Sequence, residues 1–156
     1  LKILILSDTH RLLGCAYDAV ELERPDLIVH LGDHLSDAED LGSAFPETDL
    51  LYVPGNCDWD VTARESLLIE REGARLFLTH GHLFRVKQGT DLLEKEARRL
   101  GANAALFGHT HVAYCQCKDG LWLVNPGACS QVSSRPSYAV MEIAKGNIKC
   151  RLTACK

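Results

Sequence analysis

Five short polar motifs, each standing at the end of an apolar run, constrain this chain more than any other feature. They are Asp8-Thr9-His10, Gly32-Asp33-His34, Gly55-Asn56-Cys57-Asp58, His80-Gly81-His82 and Gly108-His109-Thr110-His111. A strand that ends in Asp, Asn or His hands a short ligating side chain to the loop that follows. With helical stretches between the early motifs, the first half reads as a β-loop-α alternation, which calls for parallel strands and right-handed crossovers. Ligands bind such sheets beyond the carboxyl ends of the strands. Motifs far apart in sequence are therefore expected to meet at one sheet edge.

The periodicity fills in the elements. Residues 2–7 form a continuous apolar run, as a buried strand requires. A helix is predicted over 14–23, ended by Pro25-Asp26, and a second strand over 27–31. Ser36-x-x-Glu39 reads as a capping box that opens a short helix before Pro46. A third strand covers 50–53. Residues 67–70 and 75–78 form a hairpin turning on Glu72-Gly73. Thr90 and Gly101 are suitable boundaries for a helix over 90–100, and a buried strand follows at 104–107. Strands are predicted at 112–117, 121–124, 138–143 and 148–152, with hairpin turns at Asp119-Gly120 and Gly146-Asn147. No linker or repeat interrupts residues 1–156. The pattern describes one layered α/β domain, two packed sheets with helices outside.

Composition narrows the partners. The 156 residues carry a net charge of -4 with 24% charged residues, whereas a dedicated nucleic-acid binder usually shows a basic face. The densest basic pair, Arg98-Arg99, has Glu94 and Glu96 beside it and reads as a solvated helix face. The opening run 1–6 is too short to span a bilayer and lacks the pattern of a signal peptide. Seven cysteines, an odd number in a chain large enough to fold unaided, read as reduced thiols and place the protein in the cytoplasm. Cys115 and Cys117 would share one strand face as small apolar fillers, because C-x-C lacks the usual zinc or redox spacing.

The residue types in the motifs suit two divalent metal ions side by side. A carboxylate is needed between two cations, since it bridges them and offsets their repulsion, and Asp33 is the candidate. Neutral imidazoles fill outer positions without quenching Lewis acidity, and Asn56 offers a neutral amide oxygen. Of the two histidines in His80-Gly81-His82, His80 directly ends the strand and is the expected ligand. His82 then contacts substrate or orients a ligand.

The order D-x-H, G-D, G-N-x-D, H-G-H, G-H-x-H resembles the calcineurin-like metallophosphoesterase superfamily. The short length, the G-N-C-D form and Asn125-Pro126-Gly127 resemble its YfcE-type phosphodiesterases in particular, from Leu1 to about Ile143. The resemblance implies a four-layer α/β/β/α sandwich and a dinuclear centre, commonly Mn²⁺, with Ni²⁺, Co²⁺, Fe or Zn²⁺ also used. It assigns Asp8, His10 and His111 to the first metal, Asn56, His80 and His109 to the second, and Asp33 to the bridge. It further implies in-line attack of a bridging hydroxide on a small phosphodiester.

One position departs from the pattern. Many relatives carry His after the Asn, as proton donor to the leaving oxygen; here it is Cys57, and a thiol is a poor stand-in. Asp58, His34 or a metal-bound water could serve instead, or the enzyme could rely on good leaving groups. The catalytic candidates are thus Asp33, Asn56, Asp58 and His82; Arg85, Lys87 and Arg135 could bind phosphate oxygens, with a surface role as the default for each. The competing function is a catalytically weak protein-interaction scaffold of the same fold, as in the retromer subunit. The presence of both Asp33 and Asn56 weighs against it. A polymeric nucleic acid and a membrane are not expected partners, and a homodimer is compatible with the strand-rich end.

Overall fold

Apolar runs become buried strands, and their order sets where the motifs arrive. The computed structural model describes residues 1–59, 62–131 and 133–155. Lys2–Leu6 (β1), Leu27–His30 (β2) and Asp49–Tyr52 (β3) pair in parallel, and Ser137–Ala144 (β9) and Asn147–Ala154 (β10) extend this sheet antiparallel beyond β1. Its order is β10-β9-β1-β2-β3. In the second sheet Ala74–Thr79 (β5), Ala104–Leu106 (β6) and Leu121–Asn125 (β8) are parallel. Ser66–Arg71 (β4) and Tyr114–Lys118 (β7) close its two edges antiparallel, giving β4-β5-β6-β8-β7.

Alternation along β1 separates the layers. Ile3 and Ile5 face the second sheet and pack with Leu76, Leu78, Leu106 and Met141. Leu4 and Leu6 point the other way, onto helix α1 (Gly14–Glu23) and helix α2 (Leu35–Ala44) through Ala16, Val20 and Leu41. Helix α3 (Asp91–Arg99) covers the outer face of the second sheet with Leu93 and Ala97, which lie one turn apart on one helix face. The result is the four-layer α/β/β/α sandwich. Each fully buried Leu or Ile contributes about 1.5–3 kcal/mol of transfer free energy, so three interlocking cores hold the two sheets in fixed relation. Among the described residues no helix is long and apolar enough to cross a membrane.

Three local expectations are corrected. The two-residue turn between β9 and β10 is Lys145-Gly146, both at positive φ, and Asn147 already pairs with Ala144. β7 begins at Tyr114 rather than at 112, because the preceding residues belong to the loop after His111. Ser36 does not cap α2: the cap position is His34, in the left-handed region, with no side-chain cap of its own. The missing acceptor comes from a distant loop, where Asp58 Oδ1 accepts from Leu35 N–H at 2.7 Å.

Candidate metal centre

All five motifs leave the carboxyl ends of parallel strands, and they converge. One ligating atom each from Asp8, His10, Asp33 and His111 lies within 4.8 Å of the others. Asp8 Oδ1 stands 3.1 Å from His111 Nε2 and 4.0 Å from both His10 Nε2 and His80 Nε2. His10 Nε2 and His111 Nε2 face each other at 3.3 Å. His80 Nε2 is also 3.5 Å from Asp33 Oδ1 and 3.1 Å from Asn56 Oδ1. The His109 ring lies 5.0 Å from the His80 ring, centroid to centroid.

Backbone geometry aims these groups. Asp8, His10, Asp33, His109 and His111 all have φ between 48° and 68°, a left-handed conformation uncommon outside glycine and costing on the order of 1–3 kcal/mol per residue. Neighbouring glycines permit the crowding. A Cβ on Gly55 would collide with Asp33 Oδ1, and one on Gly108 would collide with Ser7 Oγ and approach Asp8 Oδ2.

The donor set fits divalent cations. His80 is fully buried, and its Nδ1 lies 2.7 Å from Leu31 O, an acceptor only, so the ring proton sits on Nδ1. Its Nε2 lone pair then points at the oxygen lone pairs of Asn56, Asp33 and Asp8. Such a convergence of acceptors without a donor is unfavourable unless a cation occupies it.

Electrostatics agree with that division. Burial pushes the Asp8 carboxyl up, but hydrogen bonds from His111 and Ser7 and the neighbouring imidazole rings outweigh it and leave Asp8 below its ordinary value. The bond to Asp8 raises His111, against burial. Burial, then His80 and Lys87, lowers His109 to about 4, so its ring is neutral and available as a ligand at pH 7. Burial and His80 also lower His82. Burial and Asp33 raise the Cys57 thiol, which therefore stays protonated.

Other expected site residues take definite positions. The His82 ring packs 5.5 Å from His80 and 6.1 Å from His109, and its buried Nδ1 has no hydrogen-bond partner among the described residues. His82 opens the first of two short 3₁₀ turns, His82–Phe84 and Val86–Gln88, that the periodicity did not reveal. Asp58 spends both carboxylate oxygens on backbone N–H groups, Leu35 at 2.7 Å and Gly55 at 2.8 Å. Cys57 N–H donates to Asp33 Oδ1 at 3.0 Å. His34 lies edge-on to His10 at 5.2 Å, and Arg85 and Arg135 are exposed.

A supporting layer went unseen in the sequence. Gly32 N–H donates to His30 Nδ1, His30 Nε2–H to Thr9 Oγ1, and Thr9 O–H to Asp37, which also accepts from Arg11 N–H. This buried chain ties the first motif to the second and to α2. Burial holds His30 to about 4, hence neutral, as the chain requires. Asn125 braces the last motif by donating to Gly108 O at 2.9 Å and Thr110 Oγ1 at 3.0 Å. The one available sequence signal was His30, a polar residue inside the otherwise apolar run 27–31.

Comparison with known proteins gives the same reading. Residues 1–146 match the calcineurin-like phosphoesterase superfamily domain. The chain is 32% identical over 149 residues to the probable metallophosphoesterase YsnB of Bacillus subtilis, covering 92% of this chain and 85% of that protein. It is 27% identical over 158 residues to phosphodiesterase YfcE of Escherichia coli K12, covering 83% and 80%. Among solved structures, a predicted phosphoesterase from Streptococcus pneumoniae TIGR4 superposes with a TM-score of 0.80 at 25% identity, covering 98% of this chain and 88% of that one. Vps29 of Entamoeba histolytica, complexed with Zn²⁺, superposes with a TM-score of 0.78 at 19% identity over 99% of both chains, a likeness of fold alone. The chain belongs to the calcineurin-like phosphoesterase superfamily and is a hydrolase of the metallophosphoesterase family.

Proposed function

We propose that the chain is a metal-dependent phosphodiesterase that hydrolyses a small phosphodiester at a dinuclear centre. The observation that carries this reading is the position of Asp33. It belongs to the tight group with Asp8, His10 and His111, and its Oδ1 stands 3.5 Å from His80 Nε2. Asp8, His10 and His111 would hold one ion, Asn56, His80 and His109 the other, and Asp33 would bridge. Mn²⁺ is our choice, with Ni²⁺, Co²⁺, Fe and Zn²⁺ compatible with the same mixed imidazole and carboxylate donors. Bound divalent cations supply Lewis acidity toward the phosphoryl group and a nucleophile from water at neutral pH.

The chain's own residues do the rest. Leu31 O fixes the His80 tautomer, and Cys57 N–H fixes the Asp33 carboxylate. The Asn56 side-chain N–H donates only to the Cys57 sulfur, at 3.6 Å, among the described residues, and would turn to a phosphoryl oxygen. His82 packs against His80 and His109 and orients them. Lys87, whose charge works against protonation of His109 and partly offsets the rise of His111, is the cation we place nearest the phosphate. Asp58 is a positioning residue, since both its oxygens are engaged. With Asp58 engaged and the Cys57 thiol raised, neither is a strong proton donor to the leaving group, which favours diesters with good leaving groups.

Leu12, Trp59, Leu83 and Val112 each follow a ligand motif within three residues and are exposed, Trp59 at 84%. Such a rim suits a diester bearing apolar or aromatic groups. Seven unbridged cysteines suit a reducing compartment, the cytoplasm.

The test is metal-stripped protein assayed on bis-p-nitrophenyl phosphate with and without Mn²⁺, beside Asp33→Asn. Metal-restored hydrolysis absent from the variant supports the reading. No hydrolysis with any divalent ion would overturn it in favour of a scaffold of the same fold.

A further inference from the structure

Three of the seven cysteines gather outside the metal centre, at the start of α1. Cys129 lies in the loop between β8 and β9 and is fully buried; Cys155 follows β10; Cys15 sits in the first turn of α1. Cys129 Sγ and Cys155 Sγ are 3.8 Å apart although 26 residues separate them in sequence. Cys15 and Cys155 both line a cavity of about 380 Å³, together with Asp18, Tyr138 and Thr153.

We propose that Cys129 and Cys155 are a site of oxidative modification, a thiol pair that a hydroperoxide converts into a disulfide. Three features favour this pair. First, the backbone already clamps the two segments together: Ala154 pairs with Ser137, Cys155 N–H donates to Pro136 O at 2.9 Å, and Ser137 N–H donates to Ala128 O at 3.1 Å. The sulfurs, 3.8 Å apart, thus stand on segments already fixed side by side. Second, access is unequal. Cys155 is reached through the cavity, whereas Cys129 is sealed behind it, the arrangement of an attacking thiol and a resolving one. Third, hydrogen bonding from Cys129 pulls Cys155 down to about 7, against burial, while Cys129 is pushed well above its ordinary value. The accessible sulfur is thus also the one with most thiolate at neutral pH.

The chemistry balances in two steps. The Cys155 thiolate attacks one peroxide oxygen; the O–O bond breaks, the alcohol leaves after taking a proton, and Cys155 becomes a sulfenic acid. The Cys129 sulfur then attacks the Cys155 sulfur; the S–O bond breaks, and water leaves with the Cys129 proton. Two thiols are oxidised by two electrons and one peroxide is reduced. The bond would tie the end of β10 to the loop that braces the first ligand motif, where Cys129 N–H donates to Ser7 O at 2.9 Å and Ser130 Oγ to Asp8 O at 3.2 Å.

The test uses the full chain, reduced, exposed to hydrogen peroxide, alkylated and mapped by mass spectrometry. The expected product is a peptide pair joined through Cys129 and Cys155, short of two hydrogens and restored by reductant. Cys129→Ser should stop at the Cys155 sulfenic acid, captured by dimedone, and Cys155→Ser should abolish the link. Alkylation of both Cys129 and Cys155 as free thiols, at peroxide levels that oxidise the exposed Cys57 and Cys117, would overturn the proposal. So would a link running from Cys155 to Cys15. The wild-type map decides the matter even if a variant folds poorly.

Discussion

Asp58→Asn separates a proton donor from a positioning residue. In the structure its two oxygens accept from Leu35 N–H at 2.7 Å and Gly55 N–H at 2.8 Å, joining the start of α2 to the Gly55-Asn56 loop. An asparagine keeps one acceptor oxygen and turns an NH₂ toward the other backbone N–H. The loss is one charge-assisted hydrogen bond plus a donor facing a donor. A hydrogen bond to a charged group is worth about 1.5–3 kcal/mol, and Asp58 is only half-buried, so about 2 kcal/mol is a fair expectation. At ~2–4 °C per kcal/mol for a chain of this size, Tm should fall by about 4–8 °C. Displacement of the loop carrying Asn56, and of the Cys57 N–H that holds Asp33, should lower kcat/KM roughly 10–100-fold, since small misplacements of catalytic groups cost that much. The assay is kcat/KM across aryl diesters whose leaving groups span a range of pKa, beside thermal melts. Positioning predicts a parallel drop for every leaving group together with the lower Tm. A loss confined to poor leaving groups, with Tm unchanged, would refute the reasoning and restore Asp58 as the acid.

Two further outcomes follow from the packing and the charges. Gly55→Ala places a Cβ against Asp33 Oδ1 and Asp33 N; it should cost about 1–3 kcal/mol in denaturant unfolding and abolish metal-dependent hydrolysis, and wild-type activity would contradict the crowding. His30 is held to about 4 by burial, against 6.5 when free. The unfolded chain then binds a proton that the native one refuses, so this contribution is complete above pH 6.5 and is lost as pH falls from about 6.5 toward 4, on the order of 3 kcal/mol in all. Guanidinium midpoints of metal-free protein from pH 7 to pH 4.5 should show that slope, and His30→Gln should flatten it; an unchanged slope in the variant would contradict the assignment.

What was legible in the sequence was whatever short-range pattern controls. Apolar runs ending in Asp, Asn or His gave the strands, and the parallel arrangement then gathered Asp8, Asp33 and His111 across about a hundred residues. Glu72-Gly73 and Asp119-Gly120 gave their turns, since a left-handed pair is needed there. The Lys145-Gly146 turn was misread by one residue, because the Gly-Asn pair is also a plausible turn and only the register of Asn147 with Ala144 decides. Long-range contacts were not legible. Ser36 and Glu39 look like a helix cap, yet the cap is supplied by Asp58, 23 residues away from Leu35. The Thr9–His30–Asp37 chain and the meeting of Cys15, Cys129 and Cys155 likewise depend on how sheets and helices stack, which no local spacing encodes.

The central claim is that Asp33 joins two metal sites. Calorimetric titration of metal-free protein with Mn²⁺ tests it most directly, with Asp33→Asn titrated in parallel and circular dichroism confirming that the variant is folded. The account predicts two ions per wild-type chain and loss of the two-ion state in the variant. One ion in the wild type, or two bound equally well by Asp33→Asn, would contradict it.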